Sequence, residues 1–326
     1  MTILLRIFLI TIIGCCYSVS LNAQIQPIST HYMFNTTINN PAFYGSKDGI
    51  NLGANYRYQW AKLDGQPRTL NAFADAAIPA IHGGVGFSIY NDRVGAYNIT
   101  SVNAGYAYIQ SIKNKIKISI GINAGVTISK LDGSKLITPQ GNDNSLNDDF
   151  LSSQLQRSLR PNLGFGIAVT HKFFEAGISY NNLIQAKDKF KGDVNTLKTV
   201  YGGVFQTYAA GKIKVGKKKN VNLKPALAIT TDFKKIQTDI SFMTGYKDYF
   251  AVGINARGYN KFSFESLSPI ISVGPLKNIC VIYSYDVSLT RLNNVNKGTH
   301  EVTLNYILPN NKIYKRPKII NNPRFL

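Results

Sequence analysis

The chain has 326 residues, 44% of them apolar, with 37 Lys and Arg against 17 Asp and Glu, a net charge of +20. Such a charge raises nucleic acid as a partner, but the basic residues are scattered through turns and strand ends. No zinc-finger spacing, helix-turn-helix pattern or aromatic RNA-binding motif accompanies them, so no nucleic acid partner is expected and a basic rim on a membrane protein is the plainer reading. Beyond the N-terminus no apolar run reaches the roughly 20 residues of a membrane helix, whereas Tyr (19), Phe (17) and Gly (27) are plentiful.

Residues 1–23 read as a signal peptide: Arg6 supplies the positive end, Ile7 to Ile13 the apolar core, and Leu21-Asn22-Ala23 a small residue at the cleavage position. Ile12-Ile13-Gly14-Cys15 also fits a lipoprotein box, so cleavage after Ala23 and processing at Cys15 both stay open. Either route exports the chain, and outer-membrane localisation is expected. A polar segment, 24–48, follows, expected in the periplasm or in a lumen. Without Cys15 and Cys16, Cys280 stands alone, and no disulfide framework is possible.

From residue 49 the pattern alternates with period two. Ile50, Leu52, Ala54, Tyr56, Tyr58 and Trp60 interleave with Asn51, Gly53, Asn55, Arg57 and Gln59; Val85, Phe87 and Ile89 interleave with Gly84, Gly86 and Ser88. The clearest run is 115–129, with Ile116, Ile118, Ile120, Ile122, Ala124, Val126 and Ile128 on one face and Lys117, Ser119, Gly121, Asn123, Gly125 and Thr127 on the other. That run is far longer than the about five or six residues of an ordinary strand and fits one crossing a bilayer, lipid on one side and lumen on the other. The pattern returns at 163–170, 279–288 and 299–308, with Ile282 the one apolar residue on a polar face. Glycines on the inner face read as bend points of a closing sheet, and Tyr56, Tyr58, Tyr106 and Tyr108 as girdle aromatics.

The fold class expected is therefore all-β, a transmembrane antiparallel barrel of about 14 strands over residues 49–308. Strands start near 49, 67, 82, 97, 115, 161, 172, 200, 220, 236, 247, 262, 278 and 299. Connections after even strands are short, and the long ones, 130–160, 183–199 and 289–298, all follow odd strands. Both ends of the barrel, the start of the first strand and the end of the last, are then expected at the periplasmic edge, with the basic tail 309–326 in the periplasm.

No catalytic, cofactor or metal site is expected. His31, His82, His171 and His300 lie at no metal-ligand spacing, nothing marks a nucleophile and its base, and Asp143, Asp148 and Asp149 lack the spacing of a calcium loop. Gly164-Phe165-Gly166 sits mid-strand and opens no helix, so it is no dinucleotide fingerprint.

Several short motifs carry a resemblance. Tyr32-Met33-Phe34-Asn35, Asn40-Pro41-Ala42-Phe43-Tyr44-Gly45, Arg57-Tyr58-Gln59-Trp60, Asp64-Gly65-Gln66-Pro67, Asn91-Asp92-Arg93-Val94-Gly95 and the C-terminal Asn322-Pro323-Arg324-Phe325-Leu326 resemble the PorP/SprF family of Bacteroidetes outer-membrane proteins. Lys62 departs from the family, which often has glycine after the tryptophan. The resemblance implies a barrel that assists secretion or surface attachment of an adhesin-like cargo with a type IX C-terminal signal, linked to gliding. It also implies contact with periplasmic and outer-membrane components of the type IX secretion system, in a setting of outer-membrane lipid. The residues themselves leave a second reading open, a passive porin whose inward Arg57, Lys117, Lys224, Arg257 and Asp286 line a small-solute path. The turn from Trp60 to Thr69 reads equally as a rigid turn set by Gly65 and Pro67 or as a contact surface.

Overall fold

A residue pattern with two unlike faces needs two unlike surroundings, and a closed sheet supplies them. The computed structural model describes residues 29–47, 49–112, 115–135, 155–184, 187–191, 196–200, 202–216, 220–247, 249–259, 263–276 and 278–309. Its strands are β1 (Ile50–Tyr58), β2 (Arg68–Ile78), β3 (Gly83–Val94), β4 (Tyr97–Ile112), β5 (Ile116–Asp132) and β6 (Leu155–His171). β7 (Phe174–Asn181), β8 (Lys187–Lys191), β9 (Thr196–Val200), β10 (Val204–Gly211), β11 (Ile213–Val215) and β12 (Val221–Thr231) follow. β13 (Ile236–Tyr246), β14 (Phe250–Tyr259), β15 (Ser263–Leu276), β16 (Ile279–Ser288) and β17 (Thr299–Leu308) complete the order.

Fourteen of these form a closed antiparallel barrel. β1 pairs with both β2 and β17, so the first strand meets the last, and β10 joins β7 to β12 on the far side. β11 continues the line of β10 along β12, and β8 and β9 form a separate hairpin. The register follows the alternation: on β5 the even-numbered Ile120, Ile122 and Val126 are exposed, while Ser119, Asn123, Thr127 and Ser129 are buried. Repeated round the wall, this leaves an outward apolar band, including Phe242, Ile254 and Leu304, far larger than water tolerates on a soluble surface. Tyr56 and Tyr108 are exposed on that outer wall.

One edge of the barrel carries the long connections 59–67, 133–154, 182–203 and 289–298; the other carries the short turns 79–82, 172–173, 247–249 and 277–278. Three expectations are corrected. The sixth strand begins at Leu155, not near 161: β5 and β6 stay paired up to Asp132↔Leu155, 17 residues each. That exceeds the about 9–11 residues of a crossing, and the extension needs no apolar outer face, which is why the exposed Arg157 hid it in the sequence. The connection 183–199, read as a loop, carries the β8–β9 hairpin, whose strands of 5 residues are too short to register as crossings. Several inward glycines, read as bend points, also make room for another part of the chain, described below. The loop acids Asp143, Asp148 and Asp149, the signal region and all of the tail beyond Pro309 lie outside the described residues.

Candidate functional site

Residues 29–47 run inside the barrel and touch its wall on all sides. The segment has a single helical turn, Thr36–Asn39, then a 3-10 turn, Pro41–Phe43, whose first free amide, that of Ala42, donates to Asn40 Oδ1 at 2.9 Å. It enters at the long-connection edge and reaches β1 through Gly49 at the short-turn edge.

Near the long-connection edge it meets a buried cluster of charges. Arg57 on β1 donates from Nη1 to Glu301 on β17 and from Nη2 to Asp286 on β16, each at 2.6 Å. Arg257 on β14 donates from Nε to Asp239 on β13 at 2.8 Å and lies 3.6 Å from Asp286. Thr30 sits among them: its amide donates to Glu301 at 3.0 Å, and its hydroxyl lies 3.2 Å from Asp286 while accepting from Arg57 at 3.1 Å and Arg257 at 3.2 Å. His31 Nδ1 is 2.8 Å from Thr303 Oγ1 and 3.6 Å from Glu301. All eight of these residues are buried. Charges this deep are tolerable because each is paired and hydrogen-bonded.

Further along, Tyr32 and Met33 pack into a small apolar core with Ala226, Met243, Ile270 and Ile282. This accounts for Ile282, the apolar residue on a polar face. Tyr32 donates to Ser241 Oγ at 3.0 Å, and the Tyr208 ring stands edge-on to Tyr32 and Phe43. Lys224 donates to the Met33 carbonyl at 2.9 Å and lies 3.7 Å from Glu175, which also takes Lys212 at 2.7 Å. Toward β6 and β7, Asn40 donates to the Ile178 carbonyl at 3.0 Å, and Ser179 and Asn181 both donate to the Asn39 carbonyl at 2.8 Å. Last, the Gly45 amide donates to Asp75 at 3.0 Å.

The inward glycines fit this occupant. A Cβ on Gly86 would overlap the Tyr44 ring, one on Gly121 the Pro41–Ala42 backbone, and one on Gly166 the Asn40 side chain. Each lacks a side chain because the segment lies against the sheet there.

The hairpin adds cover at the long-connection edge. Asp188 on β8 accepts from Arg160 at 3.0 Å, and Phe190 meets Tyr97 edge-on at 5.7 Å, both on inward faces of the β4–β6 extension.

The motif positions fall into two groups. Tyr32, Met33, Asn35, Asn40, Pro41 and Gly45 lie in the lumen with Arg57. Gln59, Trp60, Asp64, Gly65, Pro67, Asn91, Asp92 and Gly95 gather at the long-connection edge. There the Gln59 amide donates to the Pro67 carbonyl at 3.0 Å, the Gly95 amide to Gly65 at 2.9 Å, and the Trp60 amide to Thr299 Oγ1 at 3.1 Å. Thr69 donates to Asp92 at 2.7 Å, and Asn91 to Asn98 at 2.7 Å. Asp64 is exposed. Thr30, Asp239 and Glu301, central to the charge cluster, carry no motif in the sequence, and His31 is weighed there only as a metal ligand. An inward-facing acid in mid-strand was the available signal for Asp239 and Glu301.

The model of the type IX secretion system membrane protein PorP/SprF family matches residues 21–306. The chain belongs to this family. No curated protein matches the chain. Among solved structures, this PorP/SprF chain is similar to the monoaromatic hydrocarbon channel CymD, at 11% identity over 87% of this chain and 94% of that one, TM-score 0.49. It is similar to the Pseudomonas putida toluene transporter TodX at 10% identity, 83% and 91% coverage, TM-score 0.48. The Acinetobacter baumannii outer membrane protein Omp33 follows at 7% identity, 81% and 100% coverage, TM-score 0.46.

Proposed function

We propose that this PorP/SprF chain is a non-catalytic, plugged barrel of the outer membrane that docks a cargo protein and components of the type IX secretion system at its two edges. The observation that carries this reading is the lumen itself. Residues 29–47 occupy it and engage Arg57, Lys224, Arg257 and Asp286, four of the five charges that a passive channel would have used to line a path. A filled barrel offers its surfaces rather than a pore. The long connections are where a cargo would be held at the cell surface. The short turns and the basic tail would face the periplasm, and a signal peptide cleaved after Ala23 would direct export.

The test shortens the connections 133–154 and 182–203 each to a tight turn, leaving the barrel strands intact. Loss of surface-attached adhesin with normal barrel levels is the expected result. Unchanged secretion and attachment would refute the assignment of the docking surface to these connections.

A further inference from the structure

We propose that the short-turn edge is a binding belt for the headgroup phosphates of anionic phospholipid. Three exposed lysines mark three separate turns of this edge: Lys115 before β5, Lys172 before β7 and Lys247 before β14. Two of them lean on aromatics of the outer wall. Lys172 Nζ lies 4.6 Å from the centre of the Phe173 ring, and Lys247 Nζ 5.4 Å from that of Tyr246. Phe173 and Tyr246 are more than half exposed, as are the neighbouring Tyr249 and Leu276. These rings belong to the level where a barrel wall leaves hydrocarbon for headgroups. An ammonium over such a ring therefore sits where lipid phosphates sit, its stem lying along the apolar wall.

The two edges differ in charge. At the long-connection edge both signs are present: Lys135 pairs with Asp132 at 2.8 Å, and Lys62 and Asp64 are exposed in one connection. At the short-turn edge no exposed carboxylate stands among the described residues. Asp75 and Glu175, nearest to it, point into the lumen and bind Gly45 and Lys212. Cations spaced from the β4–β5 turn round to β13–β14 suit a lipid annulus, which meets the whole perimeter. An acidic protein would meet one cluster. The belt rests on the barrel fold and not on the docking role, so the two readings fail independently.

The full chain is reconstituted in vesicles of equal parts phosphatidylcholine and phosphatidylglycerol, re-extracted gently, and its retained lipid counted by native mass spectrometry. Phosphatidylglycerol should be enriched several-fold. The variant K115Q/K172Q/K247Q should fall to parity, while the three arginine replacements keep the enrichment. Replacing four lysines of the other edge, K62Q/K135Q/K234Q/K235Q, should leave it unchanged. Heat-modifiable migration on gels checks that each barrel is folded, and the double variant K172Q/K247Q serves if the threefold one is not. Equal retention of both lipids by the unaltered chain would overturn the proposal. So would enrichment surviving the loss of the short-turn lysines, its displacement by inorganic phosphate, or binding of an acidic protein at this edge without any lipid preference.

Discussion

Arg57 bridges two carboxylates on different strands, Glu301 and Asp286, inside a wall that excludes water from all three. Replacing it with methionine strips its guanidinium from two buried anions, with the Arg257 guanidinium still 3.6 Å from Asp286. The expected loss is about 3–5 kcal/mol, the usual cost of stripping one partner from a buried pair. Urea titration of the vesicle-inserted protein measures it, and R57K should fall in between because an ammonium cannot span both acids at once. A second residue shows a different physics. Lys62 has φ 72°, in the left-handed region that favours glycine. A side chain there costs about 1–2 kcal/mol, so K62G should melt no lower than the unaltered chain. K62V, β-branched, should melt measurably lower.

At the scale of the element, the lumenal segment has an independent existence: it joins the wall through Gly49 and otherwise touches it by hydrogen bonds, ion pairs and a few apolar side chains. Such contacts can be exchanged for water. Deleting residues 29–47 should therefore leave a folded barrel that conducts in planar bilayers, whereas the full chain should not. Gly121→Val pushes a branched side chain into the Pro41–Ala42 backbone and should raise conductance with the segment still attached. A silent deletion variant would show that something else closes the lumen. The strands were legible because lipid and lumen impose a period of two on every one of them. The segment was not: it has no period, and its partners lie far off in the chain, as Thr30 lies 256 residues from Asp286. The family motifs marked Tyr32, Met33 and Asn40, but a motif names positions without saying what they touch. Inward glycines were visible, and only the occupant explains Gly86, Gly121 and Gly166.

For the whole molecule, the alternation of long and short connections predicts that the two edges face opposite sides of the membrane, and labelling tests it directly. In a C280S background, F233C lies in the connection between β12 and β13, where Phe233 is 71% exposed, and should react with an impermeant maleimide on intact cells. K214C, at the other edge, should react only after lysis. The reverse pattern would invert the barrel. Parity was readable because short turns leave little choice of edge, while the length of β5 and β6 was not, since a ladder above the bilayer obeys no apolar rule. One feature of the cluster bears on how the protein is made. Arg57 lies on the first strand and Glu301 on the last, 244 residues later, paired in register across the seam. Until β17 is synthesised and docks beside β1, Thr30 and His31 have no completed anchor. The lumenal segment must therefore settle late in biogenesis, after ring closure, and a chain stalled short of its final hairpin would be left unlatched and recognisable as unfinished.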